Sequence, residues 1–266
     1  MESNSTAHVL INYYGYNPSI ALAAIAIAIY FVLSVLIIVQ CLYYKQFYFM
    51  EIVMAGILEC AGYGVRIASA KQTDNLSLFM AARIIILIPI TLLHLGWFSI
   101  LTKVMERIKM NFRIRTMHIR LALIVTSVLQ VVGSIRLGND PTSHSAKNLI
   151  VIGLALSLVV YVISLLYSMF VYKNYMGYRT NCTNDDLSWR YIFIGLFVSV
   201  ILLTIRSVYR IVAFERSVTN EAVFYCLETL LALLILLTWA IFHPGRYNPI
   251  TYEHGNTPKD NDVEMK

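Results

Sequence analysis

The sequence predicts an all-α, polytopic membrane protein: a seven-transmembrane helix bundle with its N-terminus outside and its C-terminus cytoplasmic. Three observations predict this. Of 266 residues, 58% are hydrophobic and only 14% charged, and the mean hydropathy is +0.66; a water-soluble domain of this size has too little interior to hide that much apolar surface. Apolar stretches recur seven times, each near the roughly 20 residues a helix needs to cross the hydrocarbon layer. The runs are continuous and lack the two-residue alternation of barrel strands, so each satisfies its backbone internally as a helix.

The first run, Pro18 to Cys41, follows a polar-to-mixed start without a basic n-region, so it reads as a signal anchor that is not cleaved. The second, Ile52 to Ala68, carries Gly56, Glu59, Gly62 or Tyr63, and Arg66 three to four residues apart, one helical face with small residues that admit a neighbour. The third, Leu78 to Leu101, contains Arg83, Pro89 and a lone His94. The fourth, Ile119 to Leu137, has a milder polar stripe of Ser127, Gln130 and Ser134. The fifth, Leu149 to Tyr172, carries no charged residue. Gly195, Ser199, Arg206 and Arg210 extend along the sixth, Tyr191 to Val212, and Glu221, Tyr225 and Glu228 follow the same spacing at the start of the seventh, Ala222 to Phe242.

Basic residues set the predicted orientation. With the N-terminus outside, inner segments hold Lys45, the loop from Met105 to Arg115, Arg120, Lys173, Arg179, Arg190 and Arg246, whereas outer segments hold only Lys71, Arg136, Lys147 and Arg216. The chain then divides into an extracellular segment (1–17), the bundle (18–243) and a polar, flexible cytoplasmic tail (244–266). The net charge of +6 and pI near 9.1 come largely from the inner loop around Arg107 to Arg115, which reads as a topology determinant facing anionic lipid; nucleic acid is not an expected partner. The sequon Asn4-Ser5-Thr6 is the candidate glycosylation site of a glycoprotein, while Asn181-Cys182-Thr183 falls inside. Cys41, Cys60, Cys182 and Cys226 lie in spans or inner loops, so no disulfide framework is expected.

Charges within the spans carry the functional reading. An Arg or Asp at mid-bilayer costs about 2.5 to 3.5 kcal/mol on insertion scales, so such residues need an inward face, a partner or a wet cavity. Arg206 and Glu228 each lie about six residues, roughly 9 Å, below the outer boundary of their spans and can meet as a pair, with Arg210 near Tyr225 or Glu221 at the rim. Two readings stay open: a helix-locking ion pair, or a hydrated pocket whose four arginines, Arg66, Arg83, Arg206 and Arg210, outnumber the buried carboxylates Glu59 and Glu228. Arg66 and Arg83 are expected to snorkel to the interface, and His94 to form a core hydrogen bond.

The ordered pieces Tyr16-Asn17-Pro18-Ser19, Glu59 to Arg66, Pro89, Gln130-Val131-Val132-Gly133, Arg206 to Val212, Glu221, Phe224-Tyr225, Glu228 and His243-Pro244-Gly245 resemble the fungal lipid-translocating exporter family. Those seven-span proteins are linked to 7-aminocholesterol resistance, sphingoid long-chain-base export and porphyrin transport. The resemblance covers residues 16 to 245. The chain departs from the family's pattern at Ala213 and Glu228, where an acidic residue and an Asp are usual, and lacks an acidic residue some two turns before Gln130.

The resemblance implies movement of amphipathic, lipid-like compounds such as sphingoid bases, phospholipids or sterol-like toxicants across the plasma membrane, with the endoplasmic reticulum as a second location. A porphyrin or haem transporter is the alternative within the family. The expected substrate path is Glu59, Arg66, Gln130, Arg206, Arg210, Tyr225 and Glu228. Its partners are the amphiphile and membrane lipids; the oligomeric state is left open. No cofactor, metal or enzymatic activity is expected, and no phosphate-binding Gly-rich loop exists to hydrolyse ATP. A seven-span receptor is disfavoured because Asn248-Pro249-Ile250-Thr251-Tyr252 lies in the polar tail rather than in the seventh span. A zinc hydrolase is disfavoured because His94, His118 and His243 are isolated.

Overall fold

A computed structural model describes residue 14 and residues 16–107, 113–140, 142–179, 186–215 and 220–246. Seven helices long and apolar enough to span a membrane account for almost all of them. They are α1 (Ile20–Tyr44), α2 (Met50–Lys71, led by a 3-10 turn at Phe47–Phe49), α3 (Leu76–Arg107), α4 (Arg113–Asn139), α5 (His144–Arg179) and α6 (Asp186–Glu215), with the seventh span in pieces. That span is α7 (Glu221–Phe224), a π turn (Tyr225–Thr229) and α8 (Leu230–Ile241), followed by a 3-10 turn at Pro244–Arg246. All seven predicted spans are present. The sequon at Asn4, residues 108–112 of the basic loop, Asn181 with Cys182, Arg216 and the tail beyond Arg246 lie outside the described residues.

Helices start where short polar side chains can satisfy their free amides. Ser19, Asn75, Ser143 and Asn220 accept from Leu22, Leu78, Ala146 and Ala222 at the heads of α1, α3, α5 and α7, four helices that begin at one end of the bundle. α1 turns into the next span through Lys45, whose φ of 54° lies in the left-handed region and whose amide closes back on Cys41 and Leu42.

Packing closes the helices into a ring that α3 completes between α2 and α4, with α3 also reaching across to α6. α1 lies on α2 and α8, α8 on α6, α6 on α5, and α5 on α4, while α3 touches α2, α4 and α6. Close approach rests on glycine. A Cβ at Gly56 would fall 2.1 Å from Ser34 Oγ, and one at Gly62 would fall 2.7 Å from the Ile86 side chain. Lipid tails are as apolar as leucine, so such close backbone contact supplies the van der Waals attraction between helices. Outward positions of α1, including Phe31, Val32 and Val39, are more than half exposed, as a lipid-facing surface requires.

Both ends of the bundle carry extra packing. Tyr14 donates to Ser69 at 2.9 Å and is buried, so part of the N-terminal segment lies against the helices. At the other end His243, Pro244 and Gly245 are buried, with the His243 ring stacked on Tyr44. This segment thus packs against the start of the second span and the end of the first.

Candidate functional site

Three helices place a charge cluster inside the membrane-spanning region. Arg206 on α6 donates from Nη2 to Glu228 Oε1 at 2.8 Å, and reaches Glu59 Oε1 on α2 at 3.4 and 3.5 Å. Arg210, one turn on, donates from Nε to the same Glu228 oxygen at 2.8 Å. Glu59 is 0%, Arg206 1% and Glu228 1% exposed, so the set is sealed from solvent. Removing two carboxylates from water is costly, and two guanidiniums return most of that cost only because they pair at hydrogen-bond distance. Glu59 Oε2, Glu228 Oε2 and Arg206 Nε nonetheless have no hydrogen-bond partner among the described residues.

The π turn aims the cluster. Its extra residue makes Leu230 N–H bond back to Tyr225 five residues earlier, a bulge frequent at functional sites because it re-aims side chains and frees carbonyls. Glu228 then faces Arg206, while the Thr229 carbonyl accepts Tyr30 Oη at 3.0 Å and the Thr229 hydroxyl pairs with Tyr63. Tyr30 and Tyr63 stack with ring centroids 5.5 Å apart. Tyr30 and Thr229 had no signal in the sequence, because a tyrosine and a threonine in apolar helices look like ordinary core.

A second tier sits nearer the helix ends. Arg66 is buried at 5% exposure, donates to Tyr16 Oη at 2.8 Å, and lies 4.0 Å from Glu221. Its guanidinium also covers the Phe224 ring at 4.2 Å and the Tyr225 ring at 5.5 Å. Glu221 Oε1 in turn accepts the Ser19 amide at 2.7 Å, tying the start of α1 to α7.

These contacts correct the expectations in three places. Arg66 does not snorkel; it is held by Tyr16 and the aromatic rings, while Arg83 is exposed over Phe79. Arg210 meets Glu228 instead of Tyr225 or Glu221. The expected cationic excess is also absent from the paired set, because the partly exposed Glu221 joins the buried Glu59 and Glu228 against the buried Arg66 and Arg206 and the half-buried Arg210. His94 makes the core contact expected of it, 3.1 Å from Ser164 Oγ and stacked on Phe98.

Gln130 stands apart from the cluster. Its amide donates to the Gly153 carbonyl at 3.1 Å, across the close α4–α5 contact. It also lines a cavity of about 20 Å³ that Arg206, Ser207 and Arg210 border from α6. That volume holds about one water molecule. The seven path residues thus fall in three places: the sealed cluster, the rim with Arg66 and Tyr225, and the far wall of this cavity. No group of three or more His, Cys, Asp or Glu suited to a metal occurs among the described residues.

A family model described as RTA1 like protein matches residues 52–250. Protein RTA1 of Saccharomyces cerevisiae is 22% identical over 209 residues, which cover 74% of this chain and 65% of that protein. The chain thus matches slightly less than two thirds of that relative's length. No solved structure matches the chain.

Proposed function

The chain belongs to the RTA1-like protein family, and from that membership we propose that this multi-pass membrane protein is a transporter or translocator of amphipathic, lipid-like compounds. Sphingoid bases, phospholipids and sterol-like toxicants are the candidate classes. The observation that carries the reading is the buried cluster of Glu59, Arg206 and Glu228, with the half-buried Arg210 paired to Glu228 at its edge. Apolar residues of the same volume hold helices together at least as well as a buried ion network, so retained charge suits a part that must rearrange.

The arrangement fits a closed state. A polar head group entering from the side replaces one member of the network at a time, while its tail stays in lipid between helices. The half-satisfied carboxylates suit that exchange, since Glu59 Oε2 and Glu228 Oε2 each have room for one more hydrogen-bond donor. Binding and rearrangement need no covalent step, so the protein acts without enzymatic chemistry. The reading takes the plasma membrane from the family resemblance, and an outer N-terminus from the charge asymmetry of the loops.

Reconstitution in liposomes tests this. Purified protein moves at least one of labelled sphingosine, a labelled phospholipid or protoporphyrin faster than protein-free vesicles do. Movement of none removes the reading. A porphyrin transporter is the second reading, favoured by guanidinium groups bordering the cavity, since propionates pair with arginine.

A further inference from the structure

We infer that the cavity bounded by α3, α4, α5 and α6 is the head-group subsite of the proposed translocator, and that it receives an anionic oxygen of a phosphate or carboxylate. The inference rests on the transport reading and names the substrate class of that site.

Charge distribution carries it. The network is balanced as a whole, but only its arginine residues belong to the cavity lining. Arg206 and Arg210 border the cavity, whereas Glu59 and Glu228, which neutralise them, do not. α6 therefore lines the cavity with two arginine residues whose carboxylate partners, on α2 and the π turn, lie outside that lining. A low-dielectric wall around two cations favours an anion and disfavours an ammonium group.

Unmet hydrogen bonds point the same way. Arg206 Nε and Ser207 Oγ are buried, lack hydrogen-bond partners among the described residues, and belong to residues that line the cavity. Burying such donors without a partner is unfavourable, so a structure that retains them implies a guest that accepts. Across the space stand Gln130, Ser157 and Tyr161, groups able to take the hydroxyl end of a protonated head group or a bridging water.

Size sets how the guest sits. About 20 Å³ admits a single oxygen or water, so a complete phosphate requires α4 and α6 to part. Those two helices face each other without close packing: α4 rests on α3 and α5, and α6 on α3, α5 and α8. Leu123 and Leu154 line the same space, an apolar flank for the start of a chain.

The test is equilibrium binding by the purified full-length protein in neutral detergent, read by ligand-dependent thermal stabilisation. The probes are phosphatidic acid, phosphatidylcholine, inorganic phosphate and sphingosine. Ser207→Leu fills the cavity without touching the ion network; Ser157→Val, on the opposite wall, serves if the first fails to fold. Phosphatidic acid binds more tightly than phosphatidylcholine or sphingosine, and either variant weakens it about tenfold or more. Sphingosine binding with the same sensitivity to the variants overturns the anionic assignment. Inorganic phosphate that binds as tightly as phosphatidic acid overturns the head-group assignment and leaves a free-anion site. Phosphatidic acid binding untouched by both variants overturns the location. Vesicle transport of the same preparations separates the two readings: no transport with intact, cavity-sensitive binding removes translocation alone, and sphingosine transport unaffected by both variants keeps translocation while removing this subsite.

Discussion

Arg206 touches two carboxylates at once, and Glu228 touches two guanidiniums, so neither is one half of a simple pair. Glu228→Gln leaves the buried Arg206 with Glu59 alone, whose nearest oxygen is 3.4 Å away, and takes the carboxylate partner from the half-buried Arg210. Breaking a buried pair by removing one partner costs about 3–5 kcal/mol. Glu228→Gln therefore lowers thermal stability in detergent more than Glu59→Gln does, because Glu59 makes only the long contacts. Equal losses count against this geometry. The exchanged double variant, Arg206→Glu with Glu228→Arg, does not recover folding: it brings a new carboxylate on α6 up to Glu59, and a new guanidinium on the π turn up to Arg210. Monodispersity in size-exclusion chromatography checks this, and a restored peak contradicts the four-membered network. Sequence spacing alone shows Arg206 and Glu228 at one depth; it does not show that Glu59 and Arg210 share them, because the azimuth of one helix against another is absent from one-dimensional spacing.

Among the elements, two features control where polar groups face. Gly56 lets α2 meet α1, since a Cβ there meets Ser34 Oγ and Cβ. Gly56→Ala overpacks this contact and destabilises by about 1–3 kcal/mol; Ser34→Gly in the same chain recovers part of the loss, measured by thermal unfolding. If the second change restores nothing, the clash is not the cause. The π turn is the other. Deleting Cys226, an exposed residue, removes the extra residue and restores α-helical spacing, and because the wider turn spends one more residue on nearly the same rotation, α7 keeps its facing against α8. Glu221 then keeps Ser19 and Arg66. A double-mutant cycle between Arg66→Met and Glu221→Gln reads similar coupling in the parent chain and in the deletion variant; coupling lost in the deletion variant counts against this account of the turn. Helix existence was legible because apolar run length is a local property, and the face of α2 was legible because Gly56, Glu59, Gly62 and Arg66 recur at helical spacing. The π turn was not, because nothing in Tyr225 to Thr229 forbids a regular helix; the wider turn is held by Tyr30 and Tyr63 on other helices.

Across the bundle, polar latches stand at both ends with the sealed cluster nearer one of them. Arg66 with Tyr16 and Glu221 closes the end where α1 begins. At the other, Glu51 accepts Ser99 at 2.7 Å and pairs with Arg120, joining α2, α3 and α4. The second latch is partly exposed, and such a pair contributes about 0–1 kcal/mol. Glu51→Gln therefore leaves thermal stability nearly unchanged while raising thiol-reagent labelling of a cysteine placed at Ser99; unchanged labelling argues against a gate there. The proposed topology has its own readout: glycosidase treatment shifts the parent chain on a gel and leaves Asn4→Gln unshifted, and no shift in either removes the support that this sequon gives to an outer N-terminus.

Hydropathy and run length were enough to establish that seven helices cross a membrane and that charge is buried among them, because both act residue by residue and need no knowledge of neighbours. How those charges are shared emerged only on packing. Glu221 cancels the apparent arginine excess, Glu228 binds two guanidiniums, and the two arginines of α6 line a cavity whose lining leaves out their carboxylate partners. The sign that a guest meets depends on which side of an ion pair faces the open space, and that is fixed by helix rotation and by one extra residue in a turn, quantities that exist only once the helices are packed.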